Sequence, residues 1–200
     1  MDPTTVIWYL VLAAGVLVSL AVLVYLSSPV DRWGRALRSR LLAGVPWGTI
    51  IAVAGVAAFY LFVQDGLANP SNPLDIPFRA YSYFYPLGMF ASGFAHSGVG
   101  HVTSNLLATL VFGSLAEYAW GHFPRDRDRG ASPLASPFGR IAVWVGWIAA
   151  IGVATSLFGL GPVIGFSGVV YAFVGFALVR FPIATVVAAL STRIVTGLYN

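Results

Sequence analysis

Residues 41–64 read LLAGVPWGTIIAVAGVAAFYLFVQ, and this stretch contains no charged side chain. An α-helix needs a run of about 20 apolar residues to cross the hydrocarbon core of a bilayer. The run Thr4–Val30 is also uncharged, and four more apolar segments lie near Val102–Trp120, Ile141–Leu160, Ser167–Val179 and Ile183–Leu198. The sequence therefore predicts an all-α protein, a polytopic bundle of membrane-spanning helices.

The composition supports a membrane protein. Hydrophobic residues make up 58% of the chain and charged residues 9%, whereas soluble domains carry about 25% charged residues. The run Thr4–Val30 follows Asp2 rather than a basic segment, and it is too long for a signal-peptide core. We therefore expect a retained helix. The absence of cysteine excludes disulfides and thiolate metal sites. The net charge of +4 comes from loop arginines and does not indicate nucleic-acid binding.

Arginines are concentrated in alternate loops: Arg32, Arg35, Arg38 and Arg40, then Arg125, Arg127, Arg129 and Arg140, then Arg180. The positive-inside rule predicts that these loops are cytoplasmic and that the N-terminus is outside. Residues 1–30 are then an extra N-terminal transmembrane helix, residues 31–40 a cytoplasmic basic loop, and residues 41–200 a membrane domain. The lipid bilayer is an expected partner.

Two long connections differ in character. The segment Asp65–Gly100 is rich in aromatic residues, which predicts a partly embedded, irregular segment at the bilayer interface. The segment Gly121–Arg140 alternates arginine with aspartate before a stretch rich in serine and proline, which is typical of a solvated linker.

A serine lies between glycines in Gly165-Phe166-Ser167-Gly168, at the start of an apolar segment. Glycine lets a backbone approach a reacting group closely, and a helix start offers unpaired N–H groups to a developing negative charge. Ser167 is therefore a candidate nucleophile. The alternative is a small residue packed between helices, because small residues are common at helix contacts.

A second polar set consists of His96, His101 and Asn105. His101 and Asn105 are four residues apart and share a helix face, and both side chains can donate hydrogen bonds to an oxyanion. Hydrogen bonding between helices is the structural alternative for either residue. A zinc site at His96 and His101 is disfavoured because no acidic or cysteine ligand lies nearby, so no metal is expected.

A third pattern places Gly113 and Gly121 four residues on either side of Glu117. Glycines at this spacing let neighbouring helices approach closely. We expect Glu117 to be a buried anchor that accepts hydrogen bonds from hydroxyls or backbone N–H groups of an adjacent helix, rather than a proton relay.

Together these patterns resemble the rhomboid family of intramembrane serine proteases. The family's HxxxxHxxxN, GxxxExxxG and GxSG motifs match in order, and a tyrosine follows four residues after the serine: His96, His101, Asn105; Gly113, Glu117, Gly121; Gly165, Ser167, Gly168; Tyr171. The resemblance covers about residues 41–200, which would be core helices one to five.

The resemblance implies a serine endopeptidase that cleaves transmembrane protein substrates with a Ser–His dyad and no cofactor. Ser167 would be the nucleophile. His101 and Asn105 would form the oxyanion hole with the Ser167 N–H, His96 would support that region, and Tyr171 would stack on the catalytic histidine. The enzyme would be a multi-pass protein of a prokaryotic plasma membrane, with its active site near the outer face.

No histidine follows Ser167 in the sequence. The family's base histidine lies on the sixth core helix, so we expect it beyond residue 200 and expect the 200-residue chain itself to be inactive. One alternative is an inactive rhomboid-like pseudoprotease that binds membrane protein clients. A small transporter or channel is disfavoured, because Glu117 and Arg193 are the only ionisable candidates for a pathway.

Overall fold

The computed structural model describes residues 30–124, 132–159 and 162–197. Seven helices follow one another: α1 (Val30–Arg40), α2 (Trp47–Val63), α3 (Pro86–Ala91), α4 (Val99–Trp120), α5 (Pro137–Phe158), α6 (Ser167–Arg180) and α7 (Pro182–Gly197). Within these ranges the only β-pairing is an isolated bridge between Ala80 and Val163. The all-α prediction is confirmed for this part of the chain. The helix predicted over Thr4–Val30 lies, except for its last residue, outside the described residues.

Two of the helices, α4 and α5, are long and apolar enough to cross a membrane. Only 33% of the apolar window of α4 and 28% of that of α5 are buried by the rest of the protein. An apolar helix in the core of a soluble protein would be covered nearly all round. The exposed apolar surface of these helices therefore favours a lipid environment.

Helix α6 lies at the centre of the packing. It contacts α4, α5 and α7, while α2 packs against α4 and α5. Its inward residues Val169 and Phe173 join Val56 of α2 and Ala116 of α4 in the hydrophobic core. The Trp144 indole of α5 stacks on Phe173 with ring centroids 5.6 Å apart.

The carboxylate of Glu117 joins α4 to the beginning of α2. It is fully buried and accepts hydrogen bonds from the backbone N–H groups of Gly48 (2.8 Å) and Thr49 (2.7 Å) and from the Thr49 hydroxyl (2.7 Å). The first N–H groups of a helix have no partner inside that helix, and the helix dipole favours a negative charge there. Glu117 thus caps α2 from a neighbouring helix. The predicted buried anchor and the predicted kind of partner are confirmed.

His122 completes the surroundings of this carboxylate. Its Nδ1 accepts the Leu42 N–H at 3.0 Å, so its proton lies on Nε2, which donates to Glu117 Oε1 at 2.6 Å. The imidazole is therefore held in one neutral tautomer. His122 follows the end of α4 and fastens the turn before α2 to it.

Two arginines bind the carbonyl groups that α4 leaves unpaired at its C-terminal end. Arg40 donates to the Tyr118 and Ala119 carbonyls, and Arg140 donates to those of Trp120 and Gly121. A positive charge at this end also complements the helix dipole. Gly121, His122 and Arg140 are buried, so the prediction of a solvated linker over Gly121–Arg140 is wrong at both of its ends.

The glycines of the Glu117 pattern have different roles. A Cβ on Gly113 would lie about 3 Å from Thr49 and Phe173, so this glycine permits the predicted close approach of helices. Gly121 instead follows the end of α4 with φ +76°, a conformation that glycine adopts readily and other residues rarely adopt. The prediction that Gly121 serves helix packing is therefore wrong.

The connection predicted as a basic loop over residues 31–40 is the helix α1. The prediction is wrong because charge alone does not prevent helix formation, and arginine is a good helix former. The predicted span at Leu41–Gln64 begins later than expected, at Trp47, because Leu42–Gly44 form a separate 3₁₀ turn.

We expect Gly48→Ala to destabilise the fold and Gly55→Ala, in the same helix, not to. A Cβ on Gly48 would lie 2.4 Å from Trp144 Cδ1, whereas one on Gly55 would meet nothing within 4 Å. Overpacking of this kind costs about 1–3 kcal/mol of unfolding free energy, while alanine in an open helix position gains about 0.5–1 kcal/mol. Unfolding of both variants in detergent micelles measures the difference. Equal stabilities would contradict the close contact between α2 and α5.

Candidate functional site

The loop that precedes α6 lies against the beginning of α4. A Cβ on Gly165 would be 2.7 Å from both Cε1 and Nε2 of His101 and 3.8 Å from Asn105 Nδ2. Gly165 also has φ +114°, a conformation in which a side chain is strained. Only glycine satisfies both conditions. The sequence predicted that the serine motif and the His/Asn set lie together. Gly165 of the serine motif does lie beside His101 and Asn105.

His96 is fully buried in the same cluster. Its ring packs edge-on against the His101 ring, with centroids 4.9 Å apart. Its Nδ1 lies 3.0 Å from the Phe94 carbonyl and donates to it, which leaves Nε2 to accept the Phe166 N–H at 3.4 Å. Burial, and secondarily the nearby His101, lower the pKa of His96 to about 4. A neutral His96 thus holds the residue immediately before Ser167.

His101 and Asn105 lie one turn apart on α4. The His101 Nδ1 is 3.1 Å from the Ser97 hydroxyl, and the Cε1 and Nε2 atoms of its ring both face Gly165. The Asn105 amide donates to the His101 carbonyl at 3.1 Å and is mostly buried. The Asn105 Nδ2 and the Cε1–Nε2 edge of the His101 ring therefore lie beside the loop that precedes Ser167.

Ser167 is the first residue of α6 and is partly exposed. Its N–H belongs to the first turn, whose donors have no acceptor within the helix. The next residue, Gly168, permits close packing on α5, because a Cβ there would lie 2.2 Å from Thr155 Oγ1. The serine is thus placed at the edge of the packed region, with its backbone held on both sides.

The amide of Gln64 fixes His96 from the end of α2. Its Oε1 accepts the His96 N–H at 2.8 Å, and its Nε2 donates to the carbonyls of His96 and Leu74, both at 2.9 Å. Gln64 is fully buried. One side chain therefore satisfies both backbone groups of His96 and joins the irregular segment after α2 to the site.

A pair of buried serines supports the loop from the other side. The Gly165 N–H donates to the Ser92 carbonyl at 2.8 Å, and the Ser92 hydroxyl bonds to that of Ser156 on α5. The loop before α6 is thus attached to the segment before α4 and, through it, to α5.

Tyr171 lies one turn after Ser167 on α6, and its side chain is 73% exposed. Within the described residues no aromatic ring pairs with it. The expectation that Tyr171 stacks on a catalytic histidine therefore stays a prediction.

Sequence reasoning missed Gln64, Ser92 and Ser156. Gln64 carried a usable signal, because it is the single amide that ends an uncharged apolar run. The two serines carried none, since nothing in the sequence distinguishes them from other serines in apolar surroundings.

Among the described residues, no group of three or more histidine, cysteine or acidic side chains is arranged to hold a metal ion. Comparisons with protein-family profiles, curated proteins and solved structures find no match to the chain. What the site can do must therefore be inferred from its own residues.

We expect Gln64→Leu to lower the free energy of unfolding by about 2–4 kcal/mol, because it leaves buried backbone groups of His96 without partners. The matched control is Asn69→Ala, which removes an exposed amide bonded to Asp65 and should change stability by less than about 0.5 kcal/mol. Unfolding in detergent micelles compares the two variants. A Gln64→Leu protein as stable as the control would contradict the role of Gln64.

Proposed function

We propose that this protein is an intramembrane serine endopeptidase of the rhomboid type, with Ser167 as its nucleophile. One observation carries the proposal: the backbone just before Ser167 lies against His101 and Asn105, with Gly165 in a conformation that only glycine tolerates. Two sequence motifs that lie more than 50 residues apart in the chain thus meet at the start of one helix. Packing alone would not require two buried or half-buried hydrogen-bond donors there.

In the proposed reaction the Ser167 hydroxyl oxygen attacks the carbonyl carbon of a peptide bond. The negative oxygen that forms accepts hydrogen bonds from the Ser167 N–H, Asn105 Nδ2 and the His101 ring. A base takes the hydroxyl proton and gives it to the leaving amine, and water then hydrolyses the acyl-enzyme. We assign the base to a histidine beyond residue 200. His96 and His101 are positioning and oxyanion residues in this scheme.

His122 is unsuited to act as the base. It is hydrogen-bonded to Glu117 near the far end of α4, and Glu117 is 16 residues from His101, or roughly 24 Å along a helix. Both nitrogens of its ring are already occupied.

The proposed enzyme is a multi-pass membrane protein with its site near the outer face. Arg40 and Arg140 both lie at the C-terminal end of α4, whereas His101 and the Ser167 loop lie at its N-terminal end. If arginine-rich segments are cytoplasmic, Ser167 lies near the outer side of the membrane. Water reaches that end, and a membrane-anchored substrate can be cut where its helix leaves the bilayer. The substrates are therefore transmembrane proteins.

A second function, a pseudoprotease that binds membrane protein clients, is favoured by one observation. Within the described ranges the Ser167 hydroxyl has no hydrogen-bond acceptor, and a serine without a base is a weak nucleophile.

Labelling with a serine-directed fluorophosphonate distinguishes the two functions. We expect protein expressed from its complete gene in membranes to be labelled, with the modified peptide containing Ser167. Ser167→Ala should abolish labelling, and Ser191→Ala, which removes an exposed serine of α7, should leave it unchanged. Labelling that survives Ser167→Ala would refute the nucleophile. No labelling, together with recovery of intact membrane proteins on the detergent-purified chain, would favour the pseudoprotease.

A further inference from the structure

Helix α1 carries two kinds of exposed side chain. Trp33 is 64% exposed and Leu37 38% exposed. The side chains of Arg35 and Arg38 are exposed as well, and neither has an ion-pair partner among the described residues. The helix therefore presents both apolar and cationic groups outside the packed core.

These groups lie on different sides of the helix. Trp33 and Leu37 are one turn apart and share a side of the helix, and so do Arg35 and Arg38. Arg35 follows Trp33 by two residues, which is about half a turn, so the arginines lie on the other side. An amphipathic helix with arginines on its polar side and Trp and Leu on the other is typical of segments that lie in a membrane interface.

The position of α1 is fixed by its last residue. The Arg40 guanidinium binds the Tyr118 and Ala119 carbonyls, and the Arg40 carbonyl accepts the His122 N–H at 2.7 Å. Leu41, the next residue, is buried. Helix α1 therefore ends beside the C-terminal end of α4, and α4 is long and apolar enough to cross a membrane. A segment attached at that end lies at the depth of the lipid headgroups.

We propose that α1 lies on the membrane surface and binds anionic lipid headgroups through Arg35 and Arg38, with Trp33 and Leu37 inserted between the lipids. Charge complementarity favours anionic over neutral lipid, since each arginine near such a surface contributes about 1 kcal/mol. An acidic soluble partner would match the arginines but leave the tryptophan and leucine in water. A bilayer surface matches both sides of the helix, and tryptophan is enriched at that depth.

The 200 residues contain no cysteine, so a single introduced cysteine provides a site-specific probe in this chain. Ala36, an exposed residue of α1, is replaced by cysteine and labelled with an environment-sensitive fluorophore. The protein is then reconstituted into vesicles of phosphatidylcholine, with or without phosphatidylglycerol. We expect blue-shifted emission and protection from aqueous acrylamide with the anionic lipid, and weaker protection at high salt, which screens exposed charges.

Charge variants test the assignment. Arg35→Gln and Arg38→Gln should each shift the equilibrium between bound and released helix about fivefold towards release. Arg180→Gln, which removes one exposed arginine at the end of α6, is the matched control and should have no effect. Trp33→Ser should reduce the blue shift even with both arginines present.

Three results would overturn the proposal: equal protection in neutral and anionic vesicles, protection by a soluble polyanion in neutral vesicles, or protection that depends on the protein-to-lipid ratio. Protection by the polyanion would indicate that α1 binds a soluble acidic ligand. Protection that depends on the protein-to-lipid ratio would indicate that α1 binds a second copy of the chain. Fluorophosphonate labelling of Ser167 does not depend on any of these outcomes, so this proposal and the proposed activity can fail separately.

Discussion

The buried carboxylate of Glu117 is the interaction on which the rest of the structure depends. A charge without water is costly unless strong hydrogen bonds surround it, and here two helix N–H groups, one hydroxyl and one imidazole do so. The same bonds satisfy the first turn of α2, which would otherwise leave donors unpaired inside the packed region. Glu117 therefore fixes where α2 begins against α4, and Gln64 at the other end of α2 fixes His96 beside the serine loop. The contacts of Glu117 and Gln64 thus attach the two ends of α2 to α4 and to the segment that precedes α4.

Much of this arrangement follows from local sequence. Long apolar runs located α2 and α4 to α7, because a helix long enough to cross a membrane is recognised by its apolar composition. The glycines beside Glu117 and Ser167 indicated close backbone contacts, and Gly113, Gly165 and Gly168 make them. The sequence predictions were wrong where the same residues fit two different local structures. The arginines of residues 31–40 were interpreted as a loop, although the alternation of Trp33 and Leu37 with arginine also fits a helix. Gly121 was assigned to packing, although a glycine at a helix end more often stops the helix.

The contacts that sequence could not reveal are those between distant segments. Nothing local shows that Gln64 binds the backbone of His96, or that Ser92 contacts Ser156, because each pair is more than 30 residues apart. The hydrogen bonds of His96 also agree with the roles that we propose for the other residues of the site, and no single motif shows these bonds. His96 is buried and neutral, and it uses its free nitrogen to accept a backbone N–H rather than to compete for the serine. His101 and Asn105, which lie beside Gly165, are therefore the donors that we propose for the oxyanion.

The central claim is that Ser167 attacks a carbonyl whose oxygen is then held by Asn105, His101 and the Ser167 N–H. The most direct measurement is a structure of the protein, produced from its complete gene, after reaction with a fluorophosphonate. The account predicts a covalent bond to Ser167 Oγ, with one phosphonyl oxygen about 3 Å from Asn105 Nδ2 and from the Ser167 nitrogen. A phosphonyl oxygen directed away from both, or an adduct on a different serine, would contradict it.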